Sequence, residues 1–395
     1  MRAESIALAV AIFLIVVGGI GVVWSWLRGR RRAKMRRRMP SEYFEAVSYL
    51  LNEETDRALA TFIQLADRDS DMVELHFALG SLFRRKGEFE RAARIHQNLI
   101  ARPSLSREQH ETALRELGED YLRAGLYDRA ERIFSDLLEV KSQQAFAARQ
   151  LVTIYEQQQD WPQAAEMRRR LERLDGRNER HIIAQYYCEL AEAARTKGDN
   201  AAVVQALAEA RRNSSGLPRV RLLHARSAFE RGNTREAARE YRELLDSNLH
   251  LAEVVLPALA AIYPRGAREP DFDAAVRHLL NRSSGANTPL AVAGLKHPRL
   301  RCAAMFEAIE RELVVLVEPL SERAVASFMD SQEVRTALIR LLTDWVAQRP
   351  LYLCRVCGFR TQALYWHCPG CRNWDSMAMR QDVFPEPEKE TANAA

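Results

Sequence analysis

The chain has 395 residues, few glycines (17) and prolines (14), and abundant alanine, leucine, arginine and glutamate; this favours helix over sheet and allows two or three domains or one extended array. Its net charge of +5 is local: "RGRRRAKMRRR" (Arg28 to Arg38) carries eight positive charges and no negative one, so the remainder is net acidic. That excludes a broadly basic face for nucleic acid.

The first element in chain order is "SIALAVAIFLIVVGGIGVVWSWL", Ser5 to Leu27, 23 residues without a charge. A helix of that length spans about 34 Å, enough for a bilayer. Trp24 and Trp26 stand at its end, where indoles suit the interface. A cleaved signal peptide carries its positive charge before the apolar stretch and ends at a small-residue site; here the charge follows. The pattern predicts a retained transmembrane anchor (1–27) and a basic juxtamembrane segment (28–40) that attracts anionic membrane lipid. The positive-inside rule places the rest of the chain in the cytoplasm. Gly18 to Gly21 would let a second helix approach closely.

Residues 41–280 repeat. "LGSLFRRKGEFERAARIHQNLI" (Leu79 to Ile100) and "LGEDYLRAGLYDRAERIFSDLL" (Leu117 to Leu138) share a Leu-Gly, an aromatic three residues on, a turn glycine, an Arg-Ala pair and a hydrophobic stripe. This is the tetratricopeptide pattern, a helix–turn–helix of about 34 residues. The expectation is that Gly80 and Gly118 face Ala92 and Ala130, and that Gly87 and Gly125 make the turns. The second-helix small residue recurs as Ala58, Ala92, Ala130, Ala164, Val203, Ala237 and Ala275. The turn glycine recurs as Gly198 and Gly232, with Gln159 in its place once. Residues 281–349 keep helical periodicity after the loop "NRSSGANTP" and read as degenerate repeats or a helical cap. Such an array makes a superhelix suited to binding other proteins.

The last element is "LYLCRVCGFRTQALYWHCPGCRNW", Leu351 to Trp374. Cys354-x2-Cys357 and Cys368-x2-Cys371 are two knuckles separated by ten residues. Each offers two thiolates, and together they complete a tetrahedral four-sulfur site for one metal ion, iron or zinc. Disulfides are disfavoured in the cytoplasm, and a thioredoxin-like pair needs a surrounding α/β domain. His367 reads as a packing residue rather than a ligand, and Cys188 and Cys302 as buried small hydrophobes. Trp345, Trp366 and Trp374 are expected to pack on the final helices of the array. The metal-binding hairpin is assigned to 350–376 and a disordered tail to 377–395.

The knuckles resemble rubredoxin, with a shorter spacer and with Arg372 in place of the second knuckle's glycine. The parts taken together resemble the lipopolysaccharide assembly protein B family (LapB, also called YciM) of Gram-negative bacteria. The most specific stretches are "RAARIHQNLI", "LGEDYLRAGLYDRAERIF", "YYCELA" and "TQALYWHCPGCRNW". The resemblance implies an all-α tetratricopeptide-repeat superhelix with an N-terminal transmembrane helix and a small rubredoxin-like hairpin, whose Cys354, Cys357, Cys368 and Cys371 bind the metal. It further implies a single-pass inner-membrane adaptor that brings the deacetylase LpxC to the protease FtsH, restrained by an inner-membrane regulator that senses lipopolysaccharide. A homodimer stays open. The rival readings are a structural assembly scaffold without a proteolytic role, an electron-transfer protein built on the knuckle, and an enzyme. For an enzyme the usual P-loop, His-Glu-x-x-His, Gly-x-Ser-x-Gly and Rossmann patterns are missing, and the nine histidines are scattered.

Overall fold

The computed structural model describes residues 41–68, 72–282, 288–317, 331–380 and 383–384. The expected anchor and basic run lie outside the described residues. Among the described residues no helix is long and apolar enough to cross a membrane. The chain divides into two compact units, Met1–Ala147 and Ala148–Ala395.

The first unit is built from helical hairpins: α1 (Ser41–Leu51) with α2 (Thr55–Arg68), α3 (Val73–Arg85) with α4 (Phe89–Ile100), and α5 (Arg107–Arg123) with α6 (Tyr127–Leu138). Ser106 starts α5 through a capping box with Gln109, satisfying amides that have no partner within the helix. Gly87 and Gly125 hold the turns at φ +80° and +75°, where a side chain costs about 1–2 kcal/mol. Ala58, Ala92 and Ala130 are fully buried.

One expected contact is corrected. A Cβ on Gly80 would lie 2.4 Å from the His96 ring, and one on Gly118 would lie 2.7 Å from Phe134. The glycine therefore makes room for the bulky residue one turn beyond the alanine, rather than opposing the alanine itself. The His96 that fills this space is buried with Asp120, its Nδ1 lying 2.5 Å from Oδ2. Arg84 donates to the other oxygen of Asp120 at 2.7 Å and to Glu116 at 2.5 Å.

The second unit begins within α7 (Gln144–Gln158). It continues through α8 (Trp161–Asp175), α9 (Arg180–Thr196), α10 (Asn200–Asn213), α11 (Pro218–Glu230), α12 (Thr234–Ser247), α13 (Ala252–Ile262) and α14 (Pro270–Arg282). Gly198 and Gly232 again take positive φ, and Gln159 does so at 59°. Asp160, Asp199 and Asn233 then cap the following helices. Ala164, Val203 and Ala237 are buried as the register requires. Ala275 is not the next member. In α14 the buried set is Phe272, Val276, Leu279 and Leu280, the same 0, 4, 7, 8 spacing as Ala237, Tyr241, Leu244 and Leu245 in α12. Phe272 holds the register position, and the small-residue rule lapses there.

Among the described residues three more helices follow: α15 (Thr288–Lys296), α16 (Ala303–Val317) and α17 (Gln332–Gln348). Gly294 stands to Met305 as Gly80 stands to His96, its Cβ position 2.8 Å from Met305 Cγ. After them come β1 (Tyr352–Cys354), β2 (Arg360–Thr361) and β3 (Met377–Met379), an antiparallel sheet in the order β2-β1-β3. Tyr352 sits opposite Thr361 on one side and Met379 on the other. β3 lies beyond residue 376, and Val383 and Phe384 are buried. Order thus continues past the point where the cysteine spacing alone ends the hairpin.

Candidate metal centre

β1 delivers Cys354 at its end, and the chain turns back at once. The Gly358 amide donates to the Cys354 carbonyl at 3.0 Å, and the Cys354 amide donates to the Phe359 carbonyl at 2.8 Å. The second knuckle repeats this: the Arg372 amide donates to the Cys368 carbonyl at 2.8 Å, and the Cys368 amide to the Asn373 carbonyl at 3.0 Å. The residue that closes each turn is left-handed, Gly358 at φ +77° and Arg372 at φ +58°. Glycine adopts this freely, and arginine only at a cost.

The knuckles bring the four expected cysteines together. Their sulfurs all lie within 4.8 Å of one another, with Cys354 and Cys371 at 3.6 Å and Cys357 and Cys368 at 3.7 Å. Four sulfurs at about 2.3 Å around a tetrahedral ion stand about 3.8 Å apart, so this cluster fits one metal ion. Cys354 and Cys368 face the interior, Cys357 is exposed and Cys371 is half-buried.

The electrostatics point the same way. The Ser376 hydroxyl beside Cys354, helped by the knuckle amides, pulls that thiol down to about 6. The Asn373 side-chain amide, 3.3 Å from Cys371 Sγ, lowers that thiol as well. Cys357 goes up to about 12, because the Phe359 amide that favours its thiolate is outweighed by desolvation together with the crowding sulfurs of Cys371, Cys354 and Cys368. Like charges this close resist joint ionisation, and a cation at their centre removes the conflict.

His367 stays outside the cluster. Its ring stacks on Trp374 with centroids 4.3 Å apart, and its Nε2 lies 2.8 Å from the Arg372 carbonyl. Cys188 and Cys302 are buried in helical cores, and burial pushes their thiols up to about 12 and about 11.

The hairpin is docked, and its partners reach far back along the chain. Trp345 does stay at the last helix, donating to the Val383 carbonyl at 2.9 Å. Trp366 packs on a core drawn from α11 to α16. Trp374 does not meet the final helices. It lies edge-on to Trp161 of α8 and to Tyr186 of α9, at 6.0 and 5.8 Å. Leu351, Tyr352, Cys354 and Cys368 share a second core with α15, α16 and α17.

Polar contacts fix the seat. Gln185 donates to Asp375 at 2.5 Å and accepts from Arg219 at 3.0 Å. The Tyr352 hydroxyl donates to Glu253 at 2.8 Å. Lys296 bridges the other oxygen of Glu253, at 2.8 Å, to the Gln362 carbonyl at 3.2 Å. The Gln362 amide caps α17 by donating to the carbonyls of Val346, Ala347 and Arg349. Sequence reasoning missed Gln185, Arg219 and Glu253. A signal exists in retrospect: they recur every 34 residues on α9, α11 and α13, one polar residue per repeat at the same position. All three are buried, and a solvated helix face would not bury them.

Two family profiles match the chain: a tetratricopeptide repeat over residues 45–104 and a rubredoxin metal binding domain over residues 352–378. Lipopolysaccharide assembly protein B of Escherichia coli (strain K12) is 29% identical over 373 residues, spanning 91% of this chain and 95% of that protein. The protein of the same name from Haemophilus influenzae (strain ATCC 51907 / DSM 11121 / KW20 / Rd) is 26% identical over 381 residues, with the same two coverages. The resemblance to the lipopolysaccharide assembly protein B family is therefore carried by nearly the whole chain, helical repeats and four-cysteine hairpin alike.

Proposed function

We propose that this chain is a non-enzymatic adaptor in lipopolysaccharide assembly, tethered to the inner membrane by residues 1–27 with its repeats on the cytoplasmic side. The observation that carries the reading is the likeness to lipopolysaccharide assembly protein B over 91% of the chain. In this reading the repeats hold LpxC and present it to FtsH, and a lipopolysaccharide-sensing membrane protein restrains them. Repeat faces are protein-binding surfaces by construction, because each hairpin leaves one side unpaired with its neighbours.

Cys354, Cys357, Cys368 and Cys371 would hold one iron or zinc ion. When bound, the ion supplies the folding free energy that a hairpin of this size cannot draw from a core of its own. The chain's own residues do the rest. Trp374, Asp375 and Tyr352 seat the hairpin on α9 and α13, and that seat shapes the surface offered to a partner.

The test is the half-life of LpxC in cells with and without this protein. Depletion is expected to lengthen it several-fold and to raise lipopolysaccharide. An unchanged half-life with defective lipopolysaccharide would favour a structural scaffold without a proteolytic role.

A further inference from the structure

A second group of metal-ligating side chains lies away from the cysteines, inside one helical hairpin. His224 is on α11. Glu236 and Glu240 are on α12, four residues apart and so on one face. One ligand atom from each comes within 4.8 Å of the other two. His224 Nδ1 is shielded from solvent and has no hydrogen-bond partner. The Glu240 side chain is nine-tenths buried, and its carboxylate meets His224 Nδ1 at 3.9 Å. That is too long for a hydrogen bond, yet two ligands of one ion, each about 2.0–2.2 Å from it, stand roughly 3–4 Å apart. An unpaired ring nitrogen facing a buried carboxylate is costly unless something lies between them.

The surroundings leave room for that occupant. A cavity of about 210 Å³ opens beside His224 and Glu240. Glu236 is already oriented, accepting from the Asn233 amide at 2.6 Å on Oε2. Two arginines, Arg211 and Arg221, share the cavity wall. Arg221 is turned toward Glu243 at 3.8 Å. Two carboxylates and an imidazole outweigh the remaining positive charge.

We propose that His224, Glu236 and Glu240 form a second metal site, for a divalent transition-metal ion such as Zn²⁺. One nitrogen and two oxygens suit an ion of intermediate softness, unlike the all-sulfur set of the hairpin. The ion clips α11 to α12 and steadies the helix that carries Arg219 to the hairpin seat.

The test uses the full chain with its four-cysteine site filled by one equivalent of Zn²⁺, then titrated with Co²⁺. A second equivalent is expected, weaker than the first, with d–d absorbance and no strong sulfur-to-metal charge-transfer band. It should raise the melting temperature. Losing a partner outside the ligand set alone weakens a metal site about 10–100-fold, so His224→Gln should weaken the second equivalent by more than tenfold and leave the first intact. Glu236→Gln, on the other helix of the hairpin, repeats the test should the His224 variant misfold. A single equivalent in the unmodified chain overturns the proposal. So does a second equivalent that survives both variants or carries a sulfur band.

Discussion

Asp120 is fully buried and serves two partners at once, Arg84 on α3 and the His96 ring on α4. Removing one member of such a group leaves the others desolvated and unpaired, at a cost of about 3–5 kcal/mol. Asp120→Asn keeps the shape and removes the charge. It is expected to lower the opening free energy of residues 73–123 by about 3 kcal/mol, read by amide hydrogen exchange. A loss below about 1 kcal/mol would mean that Glu116 and Glu119 take over Arg84. At this scale the sequence was legible where chemistry is local. Four cysteines in two x2 spacings can do little else, and they meet as expected. His96, Asp120, Gln185 and Glu253 were not legible, because a polar residue on an amphipathic helix looks solvated until its cross-chain partner is known.

The turns carry the next scale. Where a repeat has Gly87, Gly125, Gly198 or Gly232, the left-handed backbone is free of strain; at Gln159 and Arg372 the same geometry carries a side chain. Relieving it is worth about 1–2 kcal/mol, offset by about 0.5–1 kcal/mol of added freedom in the unfolded chain. Gln159→Gly is therefore expected to raise the stability of the α7–α8 hairpin slightly, seen as a higher melting temperature. Arg372→Gly should slow metal loss to a chelator by severalfold, and faster loss would show that the arginine contributes more through its contacts than its backbone costs. The repeats were readable because small residue, turn glycine and hydrophobic stripe recur in one register. The register failed at Ala275 because Phe272 fills the position with bulk, and the repeat there is recognised by the 0, 4, 7, 8 spacing of its core alone.

For the whole molecule, the metal and the second unit belong together. Leu351, Tyr352, Cys354 and Cys368 are in one core with Ile339, Leu342 and Val346 of α17 and with Val292 and Leu295 of α15. Withdrawing the metal with a chelator, or changing Cys357→Ser, should therefore cost protection in residues 288–317 and 331–348 as well as in the hairpin. It should also uncover Trp161 and Tyr186, seen as a red shift in tryptophan fluorescence. Helices of residues 41–138 should keep their protection, since repeats draw stability from their neighbours. A loss confined to residues 350–380 would mean that the docking contacts add little.

The distance of that docking along the chain sets a clock. Gln185 waits for Asp375, 190 residues later, and ribosomes extend a chain by about 5–20 residues per second. For roughly 10–40 seconds of each synthesis, Gln185 stands without its carboxylate partner beside Trp161 and Tyr186. Only a chain translated past Asp375 can close that face. A copy that stops short of the hairpin keeps Trp161, Tyr186 and Gln185 uncovered, an open flank that proteolysis can recognise.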